Sequence, residues 1–321
     1  MNKLYKDSLG NDFWKDTGKV ECRLKIHFPL NIQKRDHLFC LTKFNHPIPY
    51  FCQMNRFLSI SLITAALVFT KCSDNAGAPT DETPAENRSS VAALSYSVVA
   101  TYPHDISSFT QGLEFYNGQL LESTGMEGQS KLMQVNVKTG KATKQVSLEP
   151  PLFGEGITVL NDTLYQLTWQ NKKVLVYTAK DFKKIKEFPI NTEGWGITNN
   201  GKELIVTDGS SNLYFYEPST FRLLRTQGVT EDGSPSVNLN ELEYINGYIY
   251  ANQWQYPYIL KIEPNSGHVV GKIDLSALAQ RAKAANPKEQ YLNGIAYNPE
   301  TQKVYVTGKY WPELYEISFA L

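Results

Sequence analysis

LFGEGITVLNDTLYQLTWQN, residues 152–171, sets one acid, Glu155, between two glycines at the head of an alternating apolar run and reaches Trp169 fourteen residues later. The segments Ile157–Leu160 and Thr163–Thr168 are rich in β-branched and long apolar residues, and the Asn161-Asp162 pair between them is hairpin-turn chemistry. The stretch therefore reads as two antiparallel strands. Its opening phrase recurs: Gln111-Gly112-Leu113, Trp195-Gly196-Ile197, Asn240-Glu241-Leu242 and Asn293-Gly294-Ile295 echo Glu155-Gly156-Ile157 at intervals of 40 to 53 residues. A period of that length, filled by a strand, a turn such as Asn117-Gly118 or Asn246-Gly247, and further strands, is the signature of a propeller blade. Five repeats predict an all-β, five-bladed β-propeller over residues 94–321. The last repeat has room for three strands, while Ser95–Tyr102 is an unpaired strand ahead of the first repeat. The N-terminal strand is therefore expected to join the last blade and close the ring, leaving no exposed edge. The helix-forming segment Leu275–Gln290 interrupts the period and predicts an insertion on one face.

In a propeller the innermost strand of each blade lines the axis, so the first residue of every phrase faces one mouth. That ring reads Gln111, Glu155, Trp195, Asn240 and Asn293. The equivalent position on the second strand is Gly125, Trp169, Gly209, Trp254 and, after a longer turn in YNPETQK, Lys309. Packing residues would repeat around the ring. This set does not: it gathers one acid, one lysine, amides and three tryptophans. Taken singly, each has an ordinary explanation, as a wedge between blades, a turn former or a surface charge; their shared register makes them a candidate site.

Composition narrows the chemistry. Lys and Arg number 32 against 32 Asp and Glu, which offers no electrostatic attraction for nucleic acid. All four cysteines, Cys22, Cys40, Cys52 and Cys72, precede the β region, so that region has neither a disulfide nor a thiol nucleophile. Only His104 and His268 fall within it, too few for a histidine-rich zinc site. At the front, residues 54–72 (MNRFLSISLITAALVFTKC) have a basic start, an apolar core and a terminal cysteine, the shape of an export signal. Residues 1–53 then read as a misassigned upstream extension. Cys72 is a lipidation candidate, although Lys71 departs from the small residue usual before such a cysteine. Residues 73–93, poor in large apolar groups, read as a disordered tether. These features predict an exported bacterial protein, periplasmic or held to the membrane only through a lipid anchor, and monomeric.

The phrases SSFTQGLEF, LFGEGIT, EGWGIT, NLNELEY, NQW, YLNGIAYNP and VTGKYWPELYEI resemble the plant-type glutaminyl cyclases, five-bladed propellers found in plants and many bacteria. The resemblance runs from Ser95 to Phe319. It implies an aminoacyltransferase that converts N-terminal glutamine of peptides or proteins into pyroglutamate with release of ammonia. It also implies catalytic roles for Glu155, Lys309 and Asn240, and a substrate pocket of Phe109, Gln111, Phe153, Trp169, Trp195 and Trp254, to which the ring adds Asn293. One carboxylate within reach of both reacting nitrogens can shuttle a proton between them, and an ammonium or amide donor can stabilise the developing oxygen anion.

Two other readings remain open at this point. A calcium-dependent lactonase or hydrolase propeller would gather acids and amides on the axis, but here a lysine accompanies a single ring carboxylate, so no metal and no cofactor are expected in catalysis. A structural ion in the central channel is compatible with this. A non-catalytic propeller binding peptides or glycans through its tryptophans would not require Glu155 and Lys309 together.

Overall fold

The computed structural model describes residues 91–321 and, near the start of the chain, the three short strands Lys3–Lys6, Asp12–Asp16 and Lys19–Glu21. Those three form a small antiparallel sheet in a unit spanning residues 1–78, separate from the unit that follows. The export-signal reading of residues 54–72 and the lipidation candidate Cys72 lie outside the described residues.

From Thr110 onward the strands fall into five blades, apart from a two-stranded ribbon of Thr230–Glu231 and Ser234–Pro235. Blade one comprises Thr110–Tyr116, Gln119–Thr124, Lys131–Asn136 and Lys141–Ser147; blade two comprises Gly154–Leu160, Thr163–Thr168, Lys173–Thr178 and Lys184–Pro189. Blade three is shorter inside, with Ile197–Asn199 and Leu204–Val206 followed by Asn212–Glu217 and Arg222–Gly228. Blade four runs through Leu239–Ile245, Tyr248–Gln253, Tyr258–Ile262 and Val269–Asp274. Blade five has Leu292–Asn298, Lys303–Gly308 and Glu313–Phe319, and its outer strand is Tyr96–Pro103, paired antiparallel with Glu313–Phe319.

Local chemistry explains the hairpins. Asn117 and Gly118, Asn161 and Asp162, and Asn246 and Gly247 all take positive φ, the type I′ geometry whose twist matches the flanking strands. Side chains from adjacent blades then interlock. Each of the five apolar clusters spans one blade junction, the last joining Leu113 and Phe115 of blade one to Ala296 and Tyr305 of blade five. The outer strands of blades one to three are exposed or half-exposed along their length, whereas the inner strands are almost wholly buried.

Two features differ from the sequence reading. The expected tether ends sooner, because Ala92–Ala93 adds a parallel fifth strand to blade four and the Leu94 amide donates to Lys272 O at 2.8 Å. Residues 92–94 thus belong to the propeller rather than to a tether. The insertion, which the sequence left open between helix and loop, is a helix, α1, spanning Ser276–Ala285, and its Leu278 and Ala282 pack in the core with Trp311 and Tyr315. No helix among the described residues is long and apolar enough to cross a membrane.

The repeated glycine of the inner strands has a packing reason. A Cβ on Gly112 would lie 2.6 Å from the Ile157 amide nitrogen, and one on Gly156 2.8 Å from that of Ile197. Neighbouring inner strands approach too closely for a side chain. The fourth repeat has Glu241 instead, and its carboxylate bridges blades, accepting from Leu113 N at 3.2 Å and Ile295 N at 2.8 Å. Glu114 accepts from Val159 N and Glu243 from Tyr297 N in the same manner, at 2.9 and 2.7 Å. Three buried acids thus stitch inner strands through backbone amides.

Burial pushes Glu114 up to about 8 and holds Glu241 and Glu243 well above the usual carboxylate range. Their folded-state affinity for protons exceeds that of the unfolded chain. The stability they contribute is therefore complete below about 4.5, the unfolded value, and is lost as pH rises through their raised folded values, about 8 for Glu114. Thermal melts at constant ionic strength should show a higher Tm at pH 5.5 than at pH 8, and a flat or rising Tm across that window would contradict the burial argument.

Candidate active site

The inner strands of blades one, two, four and five share a register break, between Thr110 and Gly112, Gly154 and Ile157, Leu239 and Leu242, and Leu292 and Ile295. A bulge re-aims the side chain it carries out of the strand alternation. The residues within these breaks include Gln111, Glu155, Asn240 and Asn293, all buried. In blade three the strand starts only at Ile197, leaving Trp195 ahead of it, where its amide donates to Thr207 O and its carbonyl accepts from Gly156 N at 2.8 Å.

Lys309 comes from the end of the second strand of blade five and is fully enclosed. The insertion holds it in place: Lys309 N donates to Tyr291 O, Gln290 N donates to Lys309 O, and Asn286 Nδ2 donates to Tyr310 O. Its Nζ lies 4.6 Å from the centre of the Phe109 ring, a cation–π contact. Burial lowers its pKa to about 8, opposed by the charge of Glu155.

Glu155 shows the complementary shift. Burial raises its carboxyl well above the ordinary carboxylate range, the Lys309 ammonium pulls it back, Glu193 adds to the rise, and a hydrogen bond from Gln111 opposes it. Asn293 Nδ2 donates to Gln111 Oε1 at 3.0 Å, which turns the Gln111 amide nitrogen toward Glu155. Two buried acceptors, Asn240 Oδ1 and Asn293 Oδ1, have no protein partner. Buried carbonyls of this kind are nearly always paired; Gln166 Oε1 is a third among the described residues.

The half-buried aromatic residues form a collar. Phe109 meets Phe153 edge to face at 6.0 Å, and Phe153 meets Trp169 at 5.6 Å. Across the mouth Trp195 meets Trp254 at 5.6 Å and Trp254 meets Tyr291 at 6.0 Å. The two glycines of the second-strand ring make room for it: a Cβ on Gly125 would strike the Phe153 ring at 2.4 Å, and one on Gly209 the Trp195 ring at 2.7 Å.

Gln111, Glu155, Asn240 and Asn293 thus lie in inner-strand bulges, Trp169, Trp254 and Lys309 directly follow second strands ending at Thr168, Gln253 and Gly308, and Phe109, Phe153 and Trp195 lie ahead of their inner strands. Sequence reasoning missed Tyr291 and Tyr310, the latter 5.2 Å from Phe109, and it missed Glu193. This acid precedes the Trp195 phrase by two residues, outside the register used to find the others. It also passed over Glu241, although that residue is visible as the one exception to the repeated glycine. No group of three or more His, Cys, Asp or Glu side chains among the described residues is arranged to hold a metal ion.

Fold and site together define a five-bladed propeller whose mouth encloses an acid–lysine pair, free amide carbonyls and an aromatic wall, an arrangement suited to proton transfer at a small polar group. Residues 64–319 match the family described as glutamine cyclotransferase. The chain is 40% identical over 223 residues to a glutaminyl-peptide cyclotransferase of Arabidopsis thaliana, covering 68% of this chain and 70% of that relative. It is also similar to the crystal structure of the Myxococcus xanthus glutaminyl cyclase, with 35% identity, a TM-score of 0.68, and coverage of 71% of this chain and 98% of that one. The protein belongs to the glutamine cyclotransferase family.

Proposed function

We infer that this protein is a glutaminyl-peptide cyclotransferase, closing the N-terminal glutamine of a peptide into pyroglutamate. The observation that carries the reading is the buried Glu155, held between Gln111 and Lys309 in an aromatic-walled mouth, in a chain of this family.

The reaction forms a bond between the substrate α-nitrogen and its γ-carboxamide carbon, breaks the bond from that carbon to the side-chain nitrogen, and moves one proton from the first nitrogen to the second. Ammonia leaves. A carboxyl raised above the ordinary range by burial can both take and give that proton, whereas an ordinary exposed carboxylate is a poor donor at pH 7. We assign the shuttle to Glu155. The carboxamide oxygen gains charge as the nitrogen attacks, and the Lys309 ammonium, desolvated and fixed by the insertion, supplies the counter-charge. The free Oδ1 atoms of Asn240 and Asn293 suit the N–H groups of the substrate amine and carboxamide, so we place Asn240 as an acceptor that orients the amine rather than as a donor to the oxyanion. Phe109, Phe153, Trp169, Trp195 and Trp254 exclude water and fold the flexible glutamine side chain toward its own amine.

Purified propeller incubated with a glutamine-starting dipeptide should release one ammonia per peptide, and chelation should leave that turnover intact. Metal-reversible loss of activity would favour a metal-dependent hydrolase instead. Residues 54–72 support, by their pattern, an exported enzyme tethered at Cys72; lipid labelling that persists in Cys72→Ala would exclude the tether.

A further inference from the structure

Glu193 lies outside the repeat register, yet one of its oxygens joins two blades. Trp169 Nε1 of blade two donates to Glu193 Oε2 at 2.8 Å, and Trp195 Nε1, ahead of blade three, donates to the same oxygen at 3.3 Å. The backbones of both tryptophans are tied to the residues flanking Glu155: Trp169 N donates to Phe153 O at 3.1 Å, and Gly156 N to Trp195 O at 2.8 Å. The loop carrying Glu193 is anchored in turn, because Thr192 Oγ1 bonds Asp208, which also accepts from Ser210 N at 3.1 Å. An acid on an exposed loop is ordinarily a solvated charge. Here two indole donors converge on one carboxylate oxygen at the wall of the candidate site.

We propose that Glu193 is a positioning residue for the cyclisation, a single carboxylate that locks the two indole walls of blades two and three and sets a second negative charge near the reacting acid. The proposal rests on the cyclotransferase reading above. Its mechanical consequence is that the two indoles hold one orientation whether or not substrate is bound, so less ordering is left for binding. The electrostatic consequence concerns Glu155, which faces Lys309 from blade five, Gln111 from blade one and Glu193 from the loop entering blade three. Of these neighbours Glu193 alone favours the protonated carboxyl, the form that gives a proton to the leaving nitrogen.

Two variants separate the contributions. Glu193→Gln keeps an acceptor for the indoles and removes the charge, while Glu193→Ala removes both. Steady-state kinetics on a glutamine-starting dipeptide, from pH 5 to 9, should show the acid limb of kcat displaced to lower pH in both variants. KM should stay near the wild-type value in Glu193→Gln and rise roughly tenfold in Glu193→Ala, as expected for one net hydrogen bond of about 1.4 kcal/mol. Thermal melts establish folding, and Glu193→Gln preserves the test should the alanine variant unfold. An unmoved acid limb in a folded Glu193→Gln would overturn the proposal, leaving at most a structural clamp. Wild-type enzyme assayed in parallel distinguishes the cases: if it fails to cyclise the dipeptide, the cyclotransferase reading fails and not merely the role of Glu193.

Discussion

Replacing Glu155 by glutamine lowers turnover by about 10² to 10⁴, the loss expected when a general acid/base is removed, while substrate affinity survives. Glutamine keeps the shape of the side chain and a hydrogen bond to Gln111, but it cannot carry a proton between two nitrogens. The single variant should lose some stability, because Lys309 keeps a buried charge without its partner. Burial already penalises the charged form of Glu155, and Lys309 is penalised likewise. Breaking only one partner of a buried pair leaves the other charge uncompensated, whereas replacing both with neutral groups of similar volume is often neutral or stabilising. The double variant Glu155→Gln/Lys309→Met should therefore be inactive yet melt at or above the wild-type temperature. Kinetics of the folded single variant decide the matter, and near-native turnover would demote Glu155 to a structural residue.

Gly196→Ala should unfold the propeller or come close to doing so. Its Cβ would sit 2.0 Å from Asn240 O, 2.7 Å from Asn240 C and 2.9 Å from Glu241 Cα. All three atoms are backbone of the next inner strand, so no side-chain rotation relieves the clash. Overpacking in a core costs about 1–3 kcal/mol, and more where the backbone cannot yield; a loss of about 3 kcal/mol or more is expected here. Activity should fall with it, because the displaced strand carries Asn240. Gly128→Ala is the control. Gly128 has positive φ, but a Cβ there meets nothing within 4 Å, so its cost should be limited to about 1 kcal/mol of backbone strain. Chemical denaturation of both variants measures the difference, and equal stabilities would refute the close-approach explanation of the repeat glycines.

The propeller was legible because its evidence is periodic. A phrase that returns every 40 to 53 residues needs no knowledge of distant contacts, and Asn-Gly and Asn-Asp turns set their own geometry through positive φ. Gln111, Glu155, Trp195, Asn240, Asn293 and Lys309 could be gathered for the same reason: equivalent positions in a closed ring of blades face one end of the axis. That residues 91–94 join blade four was not legible, since their neighbours in sequence are tether-like and their partners are the edge of that blade and the apolar groups beneath it.

What the sequence determined by itself was thus the blade count, the strand and turn chemistry, the place of the insertion, and which residues share a register position around the ring. Tertiary structure alone decided which way their atoms point and what surrounds them. The bulges that re-aim Gln111, Glu155, Asn240 and Asn293 arise from strand pairing, and the free Oδ1 atoms of Asn240 and Asn293 depend on which neighbours come within reach. The opposed shifts of Glu155 and Lys309 come from desolvation, which exists only once five blades have closed over them. Glu193 joins the indoles of two neighbouring blades, and Glu241 bonds Leu113, 128 residues away in the chain. Hydrogen bonds and dielectric environment are properties of atoms brought together in space, and repeat spacing specifies position along the ring without specifying either.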